Sequence, residues 1–470
     1  MFIGRERELK VLNELYQRDG FQMPIVYGRR RVGKSRLIRE FCQGQRVFFY
    51  VGLEQSREAA LINFFEALLT QLPSPISGLI TTFPDWTKAF HYLTEFAMDE
   101  RLVVVIDEYP YLAKSDPSIA STLQFIIDSE WKQTQMYLIL CGSSMSFMEE
   151  EVLAYKSPLY GRRTAQMKIQ PLPYWESLRF FRNWQWEEQL YAYGICGGIP
   201  QYLEALSRYD NLKEAVMAEL LTPSGQLFEE PTSLMKQEMR EPALYNSIIT
   251  SIAQGASKLN EIAMAVHKES RELTTYLRAL LSLGLIEKVT PIGGNSKKKT
   301  LYKLSDNLYR FWYRFIPECM PMISLGLPDK AWTIFIEPKI TEYFGRIFES
   351  ISIQFIQKYA SDGKYDVLYT SFGTWWGTNK HLKRGEEIDI VALTEKNILV
   401  GECKWRKERT GLDTFRLLQE RAELIAGQRR ITYYLFSRSE FTEELMKEAT
   451  DQVHLIQAQD MLEHVTPVPT

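Results

Sequence analysis

Eight consecutive residues, Gly28-Arg29-Arg30-Arg31-Val32-Gly33-Lys34-Ser35, have the types and spacing of a phosphate-binding loop, G-x-x-x-x-G-K-[ST]. Glycines at its two ends let the backbone wrap so that successive N–H groups face an anion. A helix starting at the loop adds partial positive charge. Lys34 is placed to reach β- and γ-phosphates, and Ser35 to offer its hydroxyl to Mg²⁺. The loop follows an apolar run, Pro24 to Tyr27, and precedes a helix-like one, Ser35 to Phe41, as this chemistry requires. Arg36 completes the set expected to contact nucleotide. A second run, Leu102 to Ile106, ends in Asp107-Glu108. There Asp107 is expected to hold magnesium through water, and Glu108 to orient and deprotonate an attacking water. A plain glycine-rich turn and a solvated acidic turn are the bland alternatives. They do not account for both motifs in this order.

Two further features near this site stay open. Ser143 and Ser144, after the run Tyr137 to Leu140, fit either a polar sensor of the γ-phosphate or the cap of a helix near Phe147. Arg162 and Arg163 fit either charge stabilisation on a neighbouring subunit's nucleotide, which would imply a homo-oligomer, or a solvated pair.

A third constellation lies near the other end. Asp389, in Glu387-Ile388-Asp389-Ile390-Val391, precedes a turn and the run Ile398 to Trp405, which carries Glu402-Cys403-Lys404. Strand alternation puts Glu402 and Lys404 on one face, and a hairpin brings Asp389 beside Glu402. With Glu349 from a helix spanning Tyr343 to Tyr359, these acids have the chemistry to hold Mg²⁺. Lys404 would then assist a water in phosphodiester attack. Charged alternation on a half-exposed strand is the plain alternative. Cys403 is expected to point away from the acids, and Trp375-Trp376 to plug the sheet.

The elements that must position these residues follow from hydrophobic patterning. Through about residue 170, continuous apolar runs alternate with helical segments, which predicts a parallel sheet buried on both faces in an α/β domain. Residues 171–239 read as helical. Residues 240–327 read as three helices and a hairpin, the layout of a winged helix, plus a connector. From Arg240 to Ser305 ten basic residues oppose five acidic ones, a local excess of five. The predicted helix Ser270 to Arg278 is suited to a major groove, and Lys297 to Lys299 at the hairpin tip to phosphates. Packing modules with solvated lysines have the same pattern. Residues 328–470 read as helix, strand, hairpin, strand, helix, strand.

Composition narrows the field. The chain has 470 residues, about three domains' worth at ~150 each. It is 45% apolar and 24% charged, so it is neither disordered nor fibrous. Its 56 basic and 59 acidic residues leave −3, so any DNA binding must come from a local surface. Five scattered cysteines lack C-x-x-C pairing, and five histidines share no motif, which argues against disulfides, zinc and imidazole catalysis. The charged start and the lack of a long apolar run predict a cytoplasmic protein with no membrane span.

Taken together, Phe2-Ile3-Gly4-Arg5-Glu6-Arg7-Glu8-Leu9, the Gly28–Ser35 loop, Asp107-Glu108 and Gly197-Gly198-Ile199-Pro200 resemble the archaeal-type P-loop ATPases related to the AAA+ and STAND groups. The resemblance implies ATP as the nucleotide, an opening segment packed beside the adenine, and a helical lid holding the Gly-Gly-Ile-Pro element. A lid arginine acting as second sensor is not evident, which departs from the ring motors. Asp389 and Glu402-Cys403-Lys404 resemble the PD-(D/E)XK nuclease superfamily, which implies Glu349 before the strand pair and Gln419 after it. The whole chain looks like such an ATPase fused to a C-terminal domain of unknown function. The expected fold class is α/β: a P-loop sheet domain with lid, a winged helix, and a nuclease-like α/β domain. The expected function is an ATP-controlled nucleic-acid enzyme or, alternatively, an ATP-switched binding protein whose C-terminal domain does not cleave.

Overall fold

The structure is a computed structural model describing residues 2–72, 82–293, 299–363, 367–379 and 382–462. The chain forms two compact units. The first comprises residues through Leu172 plus Ile199–Gln201, and the second comprises Pro173–Gly198 and Tyr202 onward.

The first unit opens with α1 (Glu6–Tyr16), β1 (Pro24–Tyr27) and α2 (Lys34–Phe41). Further strands are β2 (Val47–Val51), β3 (Leu102–Asp107), β4 (Met136–Gly142) and β5 (Ala165–Lys168). They form one parallel sheet in the order β2-β3-β4-β1-β5. Strands β3 and β4 are buried along their entire length, which explains their unbroken apolar sequences. Helices α3 (Arg57–Gln71), α4 (Trp86–Phe96) and α5 (Ile119–Ser129), with the turn Trp131–Gln133 after it, pack an aromatic layer of Phe64, Trp86, Phe90 and Trp131 onto the sheet. Because β1 lies beside β4 and β3 next to it, the loops after all three open at one end of the sheet. This is the usual ligand position in such folds.

In the second unit, α6 (Trp186–Cys196) precedes α7 (Pro242–Ala253), α8 (Leu259–Ala265) and α9 (Ser270–Ser282). The antiparallel pair β6 (Ile286–Val289) and β7 (Leu301–Leu304) follows. Leu273, Leu277 and Leu280 recur at helical spacing and bury one face of α9 against Ile248, Ile249 and Ile262. The hairpin tip, including Lys297 and Lys298, lies outside the described residues; Lys299 is exposed. The aromatic stretch Tyr309 to Phe315 lies in α10 (Asn307–Ser324), where Tyr309, Phe311 and Phe315 are buried.

The C-terminal part adds α11 (Ile340–Ser361), β8 (Ser371–Asn379), β9 (Arg384–Leu393), β10 (Asn397–Lys404), α12 (Leu412–Ala426), β11 (Arg430–Ser437) and β12 (Val453–Gln457). The sheet order is β12-β11-β10-β9-β8, antiparallel from β8 to β10 and parallel from β10 to β12. Helix α12 covers one face through Phe415 and Leu418, and Trp375 packs against that core. On the other side, Gly194 of α6 meets α11: a methyl group there would lie 2.6 Å from the Phe344 ring. Among the described residues no helix is long and apolar enough to cross a membrane.

Candidate functional site

The phosphate loop is shaped by close packing beneath it. At Gly28 a Cβ would lie 2.5 Å from the Ile169 carbonyl oxygen, so only glycine permits that approach. Arg31 and Gly33 both take left-handed backbone conformations, with φ of 70° and 89°. Arg5, 5% exposed, braces the loop from below by donating to the Val32 carbonyl (2.9 Å) and the Gln170 carbonyl (2.6 Å). Arg29 is buried, Arg30 donates to the Tyr111 hydroxyl (2.8 Å), and Arg36 is exposed. Lys34 starts α2 and is 6% exposed; its Nζ curls over the loop to donate to the Arg29 carbonyl (3.1 Å). Ser35 follows it, half-buried.

Strand β3 delivers Asp107, buried at its end, and Glu108, which has φ of 51°. Asp107 Oδ1 accepts from the Glu108 N–H (3.0 Å). Glu108 Oε2 accepts from both the Ser143 hydroxyl (2.9 Å) and the Ser143 N–H (3.2 Å). Ser143 therefore connects to the acid rather than capping a helix, and the Ser144 side chain makes no capping bond either. Cys141, fully buried beside the site, has its thiol pushed well up by burial and then by Asp107, with Lys34 pulling the other way. The two arginines are both engaged: Arg162 pairs with Asp128, while Arg163 donates to the Leu153 carbonyl (2.8 Å) and covers the Tyr160 ring. The resulting cradle has backbone amides, one buried lysine, a hydroxyl and two carboxylates, which suits a nucleotide triphosphate with its divalent cation.

The C-terminal residues are assembled differently. Strand β9 pairs with β10 only as far as Ile390–Gly401, and its register with β8 shifts between Gly373 and Trp375. A bulge at Asp389–Ile390 opposite Thr374 accounts for both observations, and bulges re-aim side chains. Asp389 Oδ2 takes over the ladder by accepting the Cys403 N–H at 2.9 Å. Lys404 Nζ lies 2.6 Å from Glu402 Oε1, and Arg421 of α12 bridges Glu402 (3.3 Å) and Glu386 (3.0 Å).

Several expectations change here. Glu349, Asp389 and Glu402 do not form a ready three-ligand cage: among the described residues, no group of three acids, histidines or cysteines is placed to hold a metal ion. Both Glu402 oxygens are occupied by cations. Gln419, carried by the helix after the strands, accepts from Arg416, and Arg421 of the same helix reaches the acids. Cys403 does not point away from the acids; burial and then Asp389 and Glu349 push its thiol well up. Arg421 and Glu386 carried no motif in the sequence. Their only signal was an unusually buried charge, visible only after folding.

Burial raises the pKa of both Asp389 and Glu349; Glu402 adds to the effect at Asp389, as Asp389 does at Glu349. Neither side chain forms an ion pair among the described residues. Two carboxylates alone would leave most positions around a Mg²⁺ ion to phosphate and water. The raised values also set a pH dependence. The folded state keeps these protons where the unfolded chain has released them, so stability is full below the ordinary carboxylate range and falls as pH rises through the folded pKa. In metal-free buffer we expect the contribution of these two groups to the melting temperature to shrink from about pH 4 upward, opposite in sign to that of carboxylates held low such as Glu386. Glu349→Gln should flatten that slope; an unchanged slope in thermal melts would sink the assignment.

The first unit's fold and cradle define a P-loop ATPase. A family described as an ATPase domain predominantly from Archaea matches residues 2–206. One described as archaeal and bacterial proteins of unknown function matches residues 312–418. An uncharacterised protein of Methanocaldococcus jannaschii is 34% identical over 441 residues, spanning 92% of this chain and 94% of its own. The chain belongs to the family of that protein, an archaeal-type ATPase domain joined to a C-terminal domain of unknown function. An uncharacterised ATP-binding protein of Pyrococcus abyssi is 22% identical over 277 residues, covering 50% of this chain and 81% of its own. The solved Walker-type ATPase of Pyrococcus abyssi shares the fold at a TM-score of 0.50 and 20% identity, over 67% of this chain and 96% of that one.

Proposed function

We propose that this ATPase acts on nucleic acid in the cytoplasm, with Mg²⁺ and ATP binding governing how the three-helix module and the C-terminal sheet domain engage DNA. In this reading Gly28 to Arg36 hold the triphosphate, with Lys34 on its terminal phosphates. Ser35 and Asp107 hold the cation, while Glu108 and Ser143 position water. When bound, Mg²⁺ would neutralise charge developing on the phosphates. The observation that carries DNA engagement is the outer face of α9. Its inner leucines are buried, and Arg271, Thr274, Thr275 and Arg278 stand exposed one turn apart on the opposite side. Such a polar, cationic helix face is suited to base edges and phosphates.

The expected result is that Arg271→Ala/Arg278→Ala lowers duplex affinity roughly tenfold or more and flattens its salt dependence by about one unit per cation. ATP turnover should stay unchanged. Fluorescence anisotropy across a salt series measures this, and an unaltered affinity would refute the surface. At the C-terminal centre, Asp389 and Glu349 would hold the cation for strand cleavage, with Lys404 beside the attacked phosphate. One observation favours the second reading, a non-cleaving interaction module: Glu402 is closed off by Lys404 and Arg421. Incubating plasmid with Mg²⁺, with and without ATP, beside Lys404→Ala and Lys34→Ala proteins, separates the two. Cleavage lost in Lys404→Ala supports the enzyme, and ATP-dependent retention without cleavage supports the module.

A further inference from the structure

Ser143 holds the Glu108 carboxylate, but the turn that carries Glu108 is hemmed in from elsewhere. Strands β2 and β4 flank β3, and each leads to a glycine: Gly52 just past β2, and Gly142 at the end of β4. The Gly52 N–H donates to the Asp107 carbonyl at 2.8 Å, which ties it to the end of β3. A Cβ on Gly52 would lie 2.7 Å from the Glu108 carbonyl oxygen and 3.3 Å from the Leu112 nitrogen. That carbonyl also accepts the Tyr111 N–H at 3.0 Å, so it cannot swing aside without opening the first turn of the helix Tyr109–Ser115. From the other neighbouring strand, a Cβ on Gly142 would lie 2.9 Å from the Pro110 ring and 2.7 Å from the Met148 sulfur. The Met148 tip can yield to a methyl group, whereas the Pro110 ring is fixed by its own backbone. Neither glycine is in the left-handed region, so what its missing side chain supplies is space. Two strands thus close on one turn through residues without side chains.

We propose that Gly52 and Gly142 are positioning residues for ATP hydrolysis: they let the Glu108 turn settle between β2 and β4 at the depth where its carboxylate meets Ser143. This rests on the reading of Glu108 as the base that activates water. A base has to lie within hydrogen-bond reach of the proton it takes, and a misplacement of about 1 Å can cost roughly a hundredfold in rate. Ordinary contact begins near 3.4 Å, so a methyl group 2.7 Å from the Glu108 carbonyl has to displace the turn by a sizeable part of that distance. The atoms nearest each added methyl group all lie outside the phosphate loop, so the grip on nucleotide is left alone.

The test compares full-length Gly52→Ala and Gly142→Ala proteins with Gly161→Ala, where an added methyl group meets nothing within 4 Å. Single-turnover hydrolysis of ATP reads the chemical step, titration with a fluorescent ATP analogue reads affinity, and a thermal melt reads the fold. Gly52→Ala should slow the chemical step roughly ten- to a hundredfold, with Gly142→Ala acting in the same direction. Affinity for the analogue should stay level in both, and Gly161→Ala should match the unaltered protein throughout. A purely structural role would lower the melting temperature and leave the single-turnover rate of the folded protein alone, and that result overturns the proposal. So does a loss of affinity as large as the loss of rate, which would make the glycines part of the binding cradle. If Gly52→Ala does not fold, Gly142→Ala decides by the same criteria; failure of both to fold assigns the glycines to the fold and overturns the proposal. Glu108→Gln run in parallel separates the two readings. Retained turnover in Glu108→Gln overturns both the base and this inference, whereas its collapse beside unchanged rates in Gly52→Ala and Gly142→Ala overturns this inference alone.

Discussion

Replacing Lys34 with alanine is expected to lower ATP turnover by at least roughly a hundred- to a thousandfold, the range for losing one preorganised donor to developing charge. Lys34 is the cation that the phosphate loop encloses. It is almost fully buried at the head of α2, and among the described residues its hydrogen bond goes to a loop carbonyl, not to a carboxylate. No acid therefore has to release it when a phosphate arrives. The same burial means the substitution leaves a small void and frees the Arg29 carbonyl, a cost on the order of 1–3 kcal/mol. The melting temperature should therefore fall slightly while turnover collapses. Phosphate release and a thermal melt on the same preparation separate these effects. Turnover within a few-fold of the unaltered protein would remove Lys34 from the chemistry, and loss of the fold would call for Lys34→Met, which restores most of the volume.

Glu108→Gln should lower the catalytic constant roughly a hundred- to ten-thousandfold, as expected for a general base, while nucleotide affinity stays nearly level. The geometry explains this split. Glu108 is held in a left-handed conformation that costs on the order of 1–3 kcal/mol and persists only when the surroundings enforce it. Here the enforcing contacts are the Ser143 hydroxyl and N–H, both on one carboxylate oxygen. The glutamine side-chain oxygen can still accept from Ser143, so the strand end and the cradle keep their shape and only the basic oxygen is lost. Single-turnover hydrolysis with a parallel nucleotide titration measures both quantities. A large drop in affinity with little change in the catalytic step would make Glu108 a binding residue instead.

Much of the first unit was legible without coordinates because its signals are local. The phosphate loop is eight contiguous residues, and β3 and β4 are unbroken apolar runs because both their faces are covered. The leucines of α9 mark its buried stripe by spacing alone. Other features depended on register. Asp389 and Glu402 were correctly placed on adjoining strands, yet the bulge decided where the Asp389 carboxylate points and left Cys403 facing acids rather than away from them. A one-residue irregularity redirects side chains, and no composition or period announces it. Long-range pairing was equally hidden: Arg5 braces a carbonyl 165 residues away, and Arg421 closes on Glu402 from the next helix. Such contacts depend on which helix face meets which strand, and packing of the whole unit sets that geometry. Residue types and spacing thus determined the chemistry available to this protein, whereas tertiary structure alone decided which acids are free to use it and that the Glu108 turn lies between Gly52 and Gly142.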